Sequence, residues 1–147
     1  MAVVKRNIQI NASPQAVMDL LSDASLWPRW YPGMTSIDIA APFPEMGGKV
    51  TFKVKSAGLT MPISETVVDY QPGRLHVLEM EGMLRGRARW EVTSEGAATL
   101  LTTTFDYSLP GGVIGRVADA VLVKRLNAKS LERGLQNFKG LVEAEAG

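Results

Sequence analysis

The sequence predicts an α+β fold: a curved antiparallel sheet of about seven strands wrapped around one long C-terminal helix, with two short helices after the first strand. Three observations point to it. From Val113 to Glu145 there is no proline, and Val113, Val117, Val121, Ala128, Leu131, Leu135, Phe138 and Val142 recur in steps of three, four or seven, which makes one broad face apolar. Between residues 34 and 107 the pattern changes to alternating apolar and polar residues punctuated by Gly, Pro and Ser, the signature of half-buried strands joined by turns. A helix of that length, about 45–50 Å at 1.5 Å per residue, needs an extended partner to cover its stripe, and the strands are the material left to supply one.

The chain reads as a single domain over residues 1–147. Val3–Ile10 is a strand by its alternation. Ser13 suits a helix cap and Pro14 the first helical position, and Gln15–Leu21 carries a helical apolar pattern. The helix should break near Ser22 and Asp23, followed by a short helical turn from Ala24 to Trp27. Two prolines in Trp27-Pro28-Arg29-Trp30-Tyr31-Pro32-Gly33 argue against a long helix there. Ile37 and Ile39 begin the strands, and Pro42–Gly48 forms a loop. Val50, Phe52 and Val54 alternate with Thr51, Lys53 and Lys55. Ser56–Pro62 reads as a turn with an apolar tip. Ile63–Tyr70, Arg74–Glu81, Arg85–Thr93 and Thr99–Tyr107 complete the sheet.

Charge sets one register. If Gly82-Met83-Leu84 is a hairpin loop, Glu81 faces Arg85 and Glu79 faces Arg87, and a slip of one residue loses both pairs. His76, Leu78 and Met80 then share the inner face with Trp90, Ala88 and Gly86, and the last strand turns Leu101, Thr103, Phe105 and Tyr107 inward. Small residues at 86 and 88 beside large aromatic and methionine side chains suggest unfilled volume; the alternative is complete packing by the helix and the rings.

Composition narrows the function classes. The 147 residues are 46% hydrophobic and 21% charged, with a net charge of +1, and the pI of about 8.0 is too balanced for a dedicated nucleic-acid binder. There is no cysteine and one histidine, so the usual nitrogen and sulfur metal sites have no ligands, and no cofactor is expected. No apolar run is long enough to span a membrane, and the N-terminus has no apolar signal region; a cytoplasmic location is the default expectation. The row Arg85, Arg87 and Arg89 reads as a solvated outer sheet face offset by Glu79 and Glu81.

Several stretches carry a family likeness: Ile8–Val17, Trp27–Gly33, Gly47-Gly48, Glu65 with Pro72-Gly73-Arg74-Leu75, and Ser130–Lys139. With the order strand, two short helices, six strands and long helix, the chain resembles the START-like helix-grip superfamily, also called SRPBCC, in its polyketide cyclase/dehydrase and lipid-transport branch. The resemblance implies an internal cavity between sheet and helix that binds a lipid, polyketide or similar hydrophobic molecule, and in some members catalyses ring closure. It supplies no universal catalytic motif.

The expected cavity residues are Trp30, Val54, Met61, His76, Leu78, Met80, Ala88, Trp90, Thr103, Phe105 and Tyr107, with Val117, Val121 and Lys124 from the helix. His76 and Tyr107 are the candidates for moving protons; a hydrogen-bonded structural histidine is the simpler reading of the first. Lys124 either meets an acidic ligand group or lies at the helix surface with its amine in solvent. Leu59, Met61, Met83 and Leu84 on loop tips would form a greasy rim. Three functions follow: a binding protein for a hydrophobic small molecule, a cyclase/dehydrase-type enzyme using the same cavity, or an adaptor docking a protein or membrane through the rim. The oligomeric state has no signal in the sequence.

Overall fold

The computed structural model describes residues 2–56, 58–109 and 120–146. Seven strands, β1 (Ala2–Ile10), β2 (Met34–Ala40), β3 (Lys49–Ser56), β4 (Leu59–Gln71), β5 (Leu75–Gly82), β6 (Arg85–Glu95) and β7 (Ala98–Ser108), form one sheet in the order β1-β7-β6-β5-β4-β3-β2. Every pairing is antiparallel. β2 to β7 make a meander, and β1 returns to the free edge of β7. The chain therefore crosses the breadth of the sheet between β1 and β2. It does so through α1 (Pro14–Leu21), a single 3₁₀ turn (Ala24–Leu26) and α2 (Trp27–Trp30).

Local chemistry starts and stops these short helices. The Ser13 hydroxyl accepts the Ala16 N–H at 3.1 Å, and Pro14 opens α1 without wasting a donor. Asp23 caps the following turn through the Ser25 N–H. The Trp27 indole N–H donates to the Leu21 carbonyl at 2.8 Å, which fastens the end of α1 to α2.

The β5–β6 register matches the charge pattern. Glu79 pairs with Arg87, Leu78 with Ala88 and His76 with Trp90, and the Glu79–Arg87 ion pair measures 3.7 Å. Exposed as it is, that pair adds little stability; the alternation it accompanies puts His76, Leu78, Met80 and Trp90 on the buried face.

The long helix, α3 (Ala120–Ala146), spans about 40 Å in its described part. Leu131, Leu135, Phe138 and Val142 are its fully covered side chains. Phe138 meets Trp30 edge-on with ring centroids 5.0 Å apart. Gly134 faces the backbone of α2: a methyl group there would lie 3.4 Å from the Tyr31 ring and 3.6 Å from the Trp30 carbonyl. Both are ordinary contact distances, so this position would accept alanine without rearrangement. Along β1 the helix is fastened by polar contacts, with Lys139 donating to the Gln9 carbonyl at 2.6 Å and Glu143 accepting the Asn11 N–H at 2.8 Å.

Two sequence expectations change here. The turn before β4 is shorter than the Ser56–Pro62 reading, because β4 already begins at Leu59. As a result Met61 and Leu84 turn inward and are buried, while Leu59 and Met83 pack partly against the core. The expected greasy rim is therefore not exposed among these four; among the described residues the large apolar side chains that do face solvent are Val3, Ile39 and Met46, at separate places in the chain. Ile39 is exposed because β2 is the sheet edge and slips register between Thr35 and Asp38.

Candidate functional site

Between the concave face of the sheet and the helices lies a cavity in which the centre of a water molecule can move through about 60 Å³. That is room for a few waters. Its walls are mostly apolar: Trp27, Trp30, Trp90, Phe52 and Phe105 are the rings, and Met34, Met61 and Met80 the flexible side chains. Methionine repacks readily, so the walls can adjust to a larger guest.

The polar groups are few and gather on one side. Antiparallel pairing places Glu65 beside Met80, Met80 beside Gly86, and Gly86 beside Tyr107, so the four form one row across β4 to β7. Directly opposed residues share a face, and the row has no side chain at its third position. From α3, Asn127 donates to the Tyr107 hydroxyl at 2.9 Å, which leaves the Tyr107 proton free to be donated elsewhere. Tyr31, at the end of α2, lines the same space. The Trp30 indole N–H is buried without a hydrogen-bond partner.

Electrostatics follow from this placement. Glu65 is 8% exposed. Burial pushes its carboxyl up from the usual 4.5 to about 7, and among the described residues no cation offsets the effect. Tyr31 is raised well above the ordinary phenol range, first by burial and then by the charges of Glu65 and Tyr107. Tyr107 is raised by burial and partly lowered by its bond from Asn127.

His76 stands apart. Its Nε2–H donates to the Pro44 carbonyl at 3.1 Å, and its ring lies 4.8 Å from that of Tyr70 and 5.6 Å from that of Phe43. Burial lowers it to about 4, partly opposed by the bond to Pro44, so it is neutral near pH 7. It lines the cavity as a held ring.

The expected residues divide. Trp30, Val54, Met61, His76, Leu78, Met80, Trp90, Phe105 and Tyr107 line the cavity. Ala88 and Thr103 are fully buried outside its lining, Ala88 in the row between Leu78 and Phe105. Val113, Val117 and the side chain of Val121 lie outside the described residues. Lys124 is exposed and does not reach the cavity. The buried row at this end of the helix climbs in four-residue steps, Val123, Asn127, Leu131 and Leu135, a ridge inclined to the helix axis; the seven-residue step that picked out Lys124 leaves that ridge.

Gly86 also has a different cause from the one its sequence position suggests. Its φ is +150°, and a β-carbon would run into the Asp106 carbonyl and the Tyr107 backbone. Close approach of β7 demands glycine there, and the missing side chain above the cavity is a consequence. Sequence reasoning left Glu65 and Asn127 out of the cavity; Tyr31 belongs to the Trp27–Gly33 segment that it weighed as closing one side. For Glu65 the signal was present: Ile63 and Val67 alternate with it on one face, so a carboxylate stood at an inward position of a strand.

Residues 1–143 match the sequence model of the polyketide cyclase/dehydrase and lipid transport family. The chain belongs to that family. Among solved structures, a protein from Thermus thermophilus superposes with a TM-score of 0.82 at 20% identity, covering 99% of this chain and 100% of its own. A START superfamily protein from Mycobacterium smegmatis gives 0.76 at 20% identity, with 97% of each chain covered. The Zhui aromatase/cyclase from Streptomyces gives 0.70 at 17% identity, covering 99% of this chain and 93% of that one. Identities this low establish the helix-grip fold and carry no substrate across. A search of curated protein sequences gives no match. Among the described residues, no helix is long and apolar enough to cross a membrane.

Proposed function

We propose that this family member binds a hydrophobic small molecule in the cavity between sheet and C-terminal helix. The single observation that carries the reading is the wall itself: aromatic rings and methionines enclose space, and a few polar groups gather on one side. Fully packed cores do not leave an indole N–H unpaired beside a carboxyl that lines empty volume. Native mass spectrometry of the purified protein tests it. A stoichiometric mass excess that disappears on denaturation supports it; an unliganded mass that stays unliganded after incubation with a panel of neutral lipids and aromatic compounds overturns it.

A second reading, a cyclase/dehydrase-type enzyme in the same cavity, is favoured by Glu65. A buried carboxyl poised near neutrality is suited to giving and taking a proton at working pH, and solved structures of similar fold include aromatase/cyclases. Turnover of a poly-β-keto substrate, lost in Glu65→Gln and in Tyr107→Phe, would select it over simple binding.

A further inference from the structure

The charge inventory of the cavity narrows the guest beyond "hydrophobic". Its titratable lining groups are Glu65 from β4, His76 from β5, Tyr31 after α2 and Tyr107 from β7; among the described residues no lysine or arginine lines it. Asn127, reaching in from α3, has its amide N–H on Tyr107. His76 donates to Pro44 and carries no charge near pH 7. Among the described lining residues Glu65 is thus a buried acid that shares the cavity with two phenols and aromatic rings and with no cationic side chain.

Three kinds of guest meet this site differently. A carboxylate would bring a negative charge into a space of low polarity where no cationic side chain lines the cavity among the described residues, which is costly. A purely apolar guest would cover the Glu65 carboxyl without pairing it and leave the Trp30 N–H unsatisfied. An ammonium can pair with the Glu65 carboxyl once that group gives up its proton, and Trp30, Trp90, Tyr31 and Tyr107 line the same cavity with rings whose faces attract cations. We propose that the guest is an organic amine, its ammonium paired with Glu65 and its apolar body lying against Met61, Met80 and the Trp30–Trp90 pair. This rests on the cavity being a ligand site.

Calorimetric titration at about pH 6 with three isosteric probes, 2-phenylethylamine, 2-phenylethanol and phenylacetate, tests it. The amine is expected to bind at least about tenfold more tightly than the alcohol, and the acid not at all. In the free protein Glu65 is mostly protonated at that pH, so pairing with an ammonium expels close to one proton, read as a binding enthalpy that depends on the buffer's ionisation heat. Glu65→Gln should abolish both the preference and the proton release while still binding the alcohol. If the variant does not fold, proton release by the wild-type protein decides alone. Acid binding as tight as amine binding, an alcohol that binds where the amine does not, or amine binding without proton release overturns the amine assignment and leaves the cavity reading standing. Failure of all three probes, together with failure of the neutral dye Nile red, removes both.

Discussion

Glu65 makes the stability of this protein depend on pH in a way that can be worked out beforehand. Its carboxyl titrates at about 7 in the fold against a usual 4.5. The folded state therefore holds its proton more tightly than the unfolded chain does. Below pH 4.5 both states are protonated and the residue carries no ionisation penalty. As pH rises through the window from 4.5 to about 7 the unfolded chain ionises first, and the fold loses stability; above about 7 the loss is complete. At about 1.4 kcal/mol per pH unit the full loss is roughly 3 kcal/mol. Urea denaturation of wild type and Glu65→Gln at a series of pH values isolates it, because His76 and the surface groups titrate in both and cancel in the difference. The stability of Glu65→Gln relative to wild type should grow by that amount across the window and then level off. A difference that stays constant with pH would refute a buried, uncompensated carboxyl at this position.

The remaining predictions concern the frame around that site. His76 is held at about 4 against a usual 6.5, so its contribution is intact above pH 6.5 and is lost as pH falls toward 4; the wild type should lose roughly 3 kcal/mol more than His76→Gln over that interval in the same denaturation series. Phe138→Ala removes a fully buried ring seated against Trp30, and should lower the unfolding free energy by about 3–5 kcal/mol with the denaturant slope unchanged. Gly86→Ala forces a β-carbon onto the β7 backbone and should cost well over about 1 kcal/mol, whereas a glycine that merely left cavity space would accept alanine at little cost; thermal unfolding separates the two.

Most of the architecture was legible because it rests on periodicity. The change from helical to alternating spacing marks the strands and the long helix, and the Glu79–Arg87 pairing emerged from charge because a one-residue slip would have reversed every inward side chain. The candidate site was legible only where it follows from that alternation. Leu78, Met80, Trp90 and Phe105 reached the cavity because strand residues two apart share a face. Lys124 did not, because heptad spacing locates a helical face only approximately, and the covered ridge at that end follows four-residue steps through Asn127. Tyr31 and Asn127 come from elements whose orientation depends on tertiary packing, such as the seating of Trp30 against Phe138, and no local pattern encodes that. Glu65 is legible as a carboxylate at an inward strand position between Ile63 and Val67, but what it meets there depends on tertiary packing.

The methionines allow the cavity's role to be read directly. Carbon-13 methyl spectra of the protein labelled at methionine, recorded with increasing 2-phenylethanol, report on Met34, Met61 and Met80 in the cavity wall and on Met46, 60% exposed, as an internal control. Saturable shifts at the three wall methyls with Met46 unmoved are the expected result. Shifts at Met46 alone, or no saturable change at the wall, would contradict a guest-binding interior.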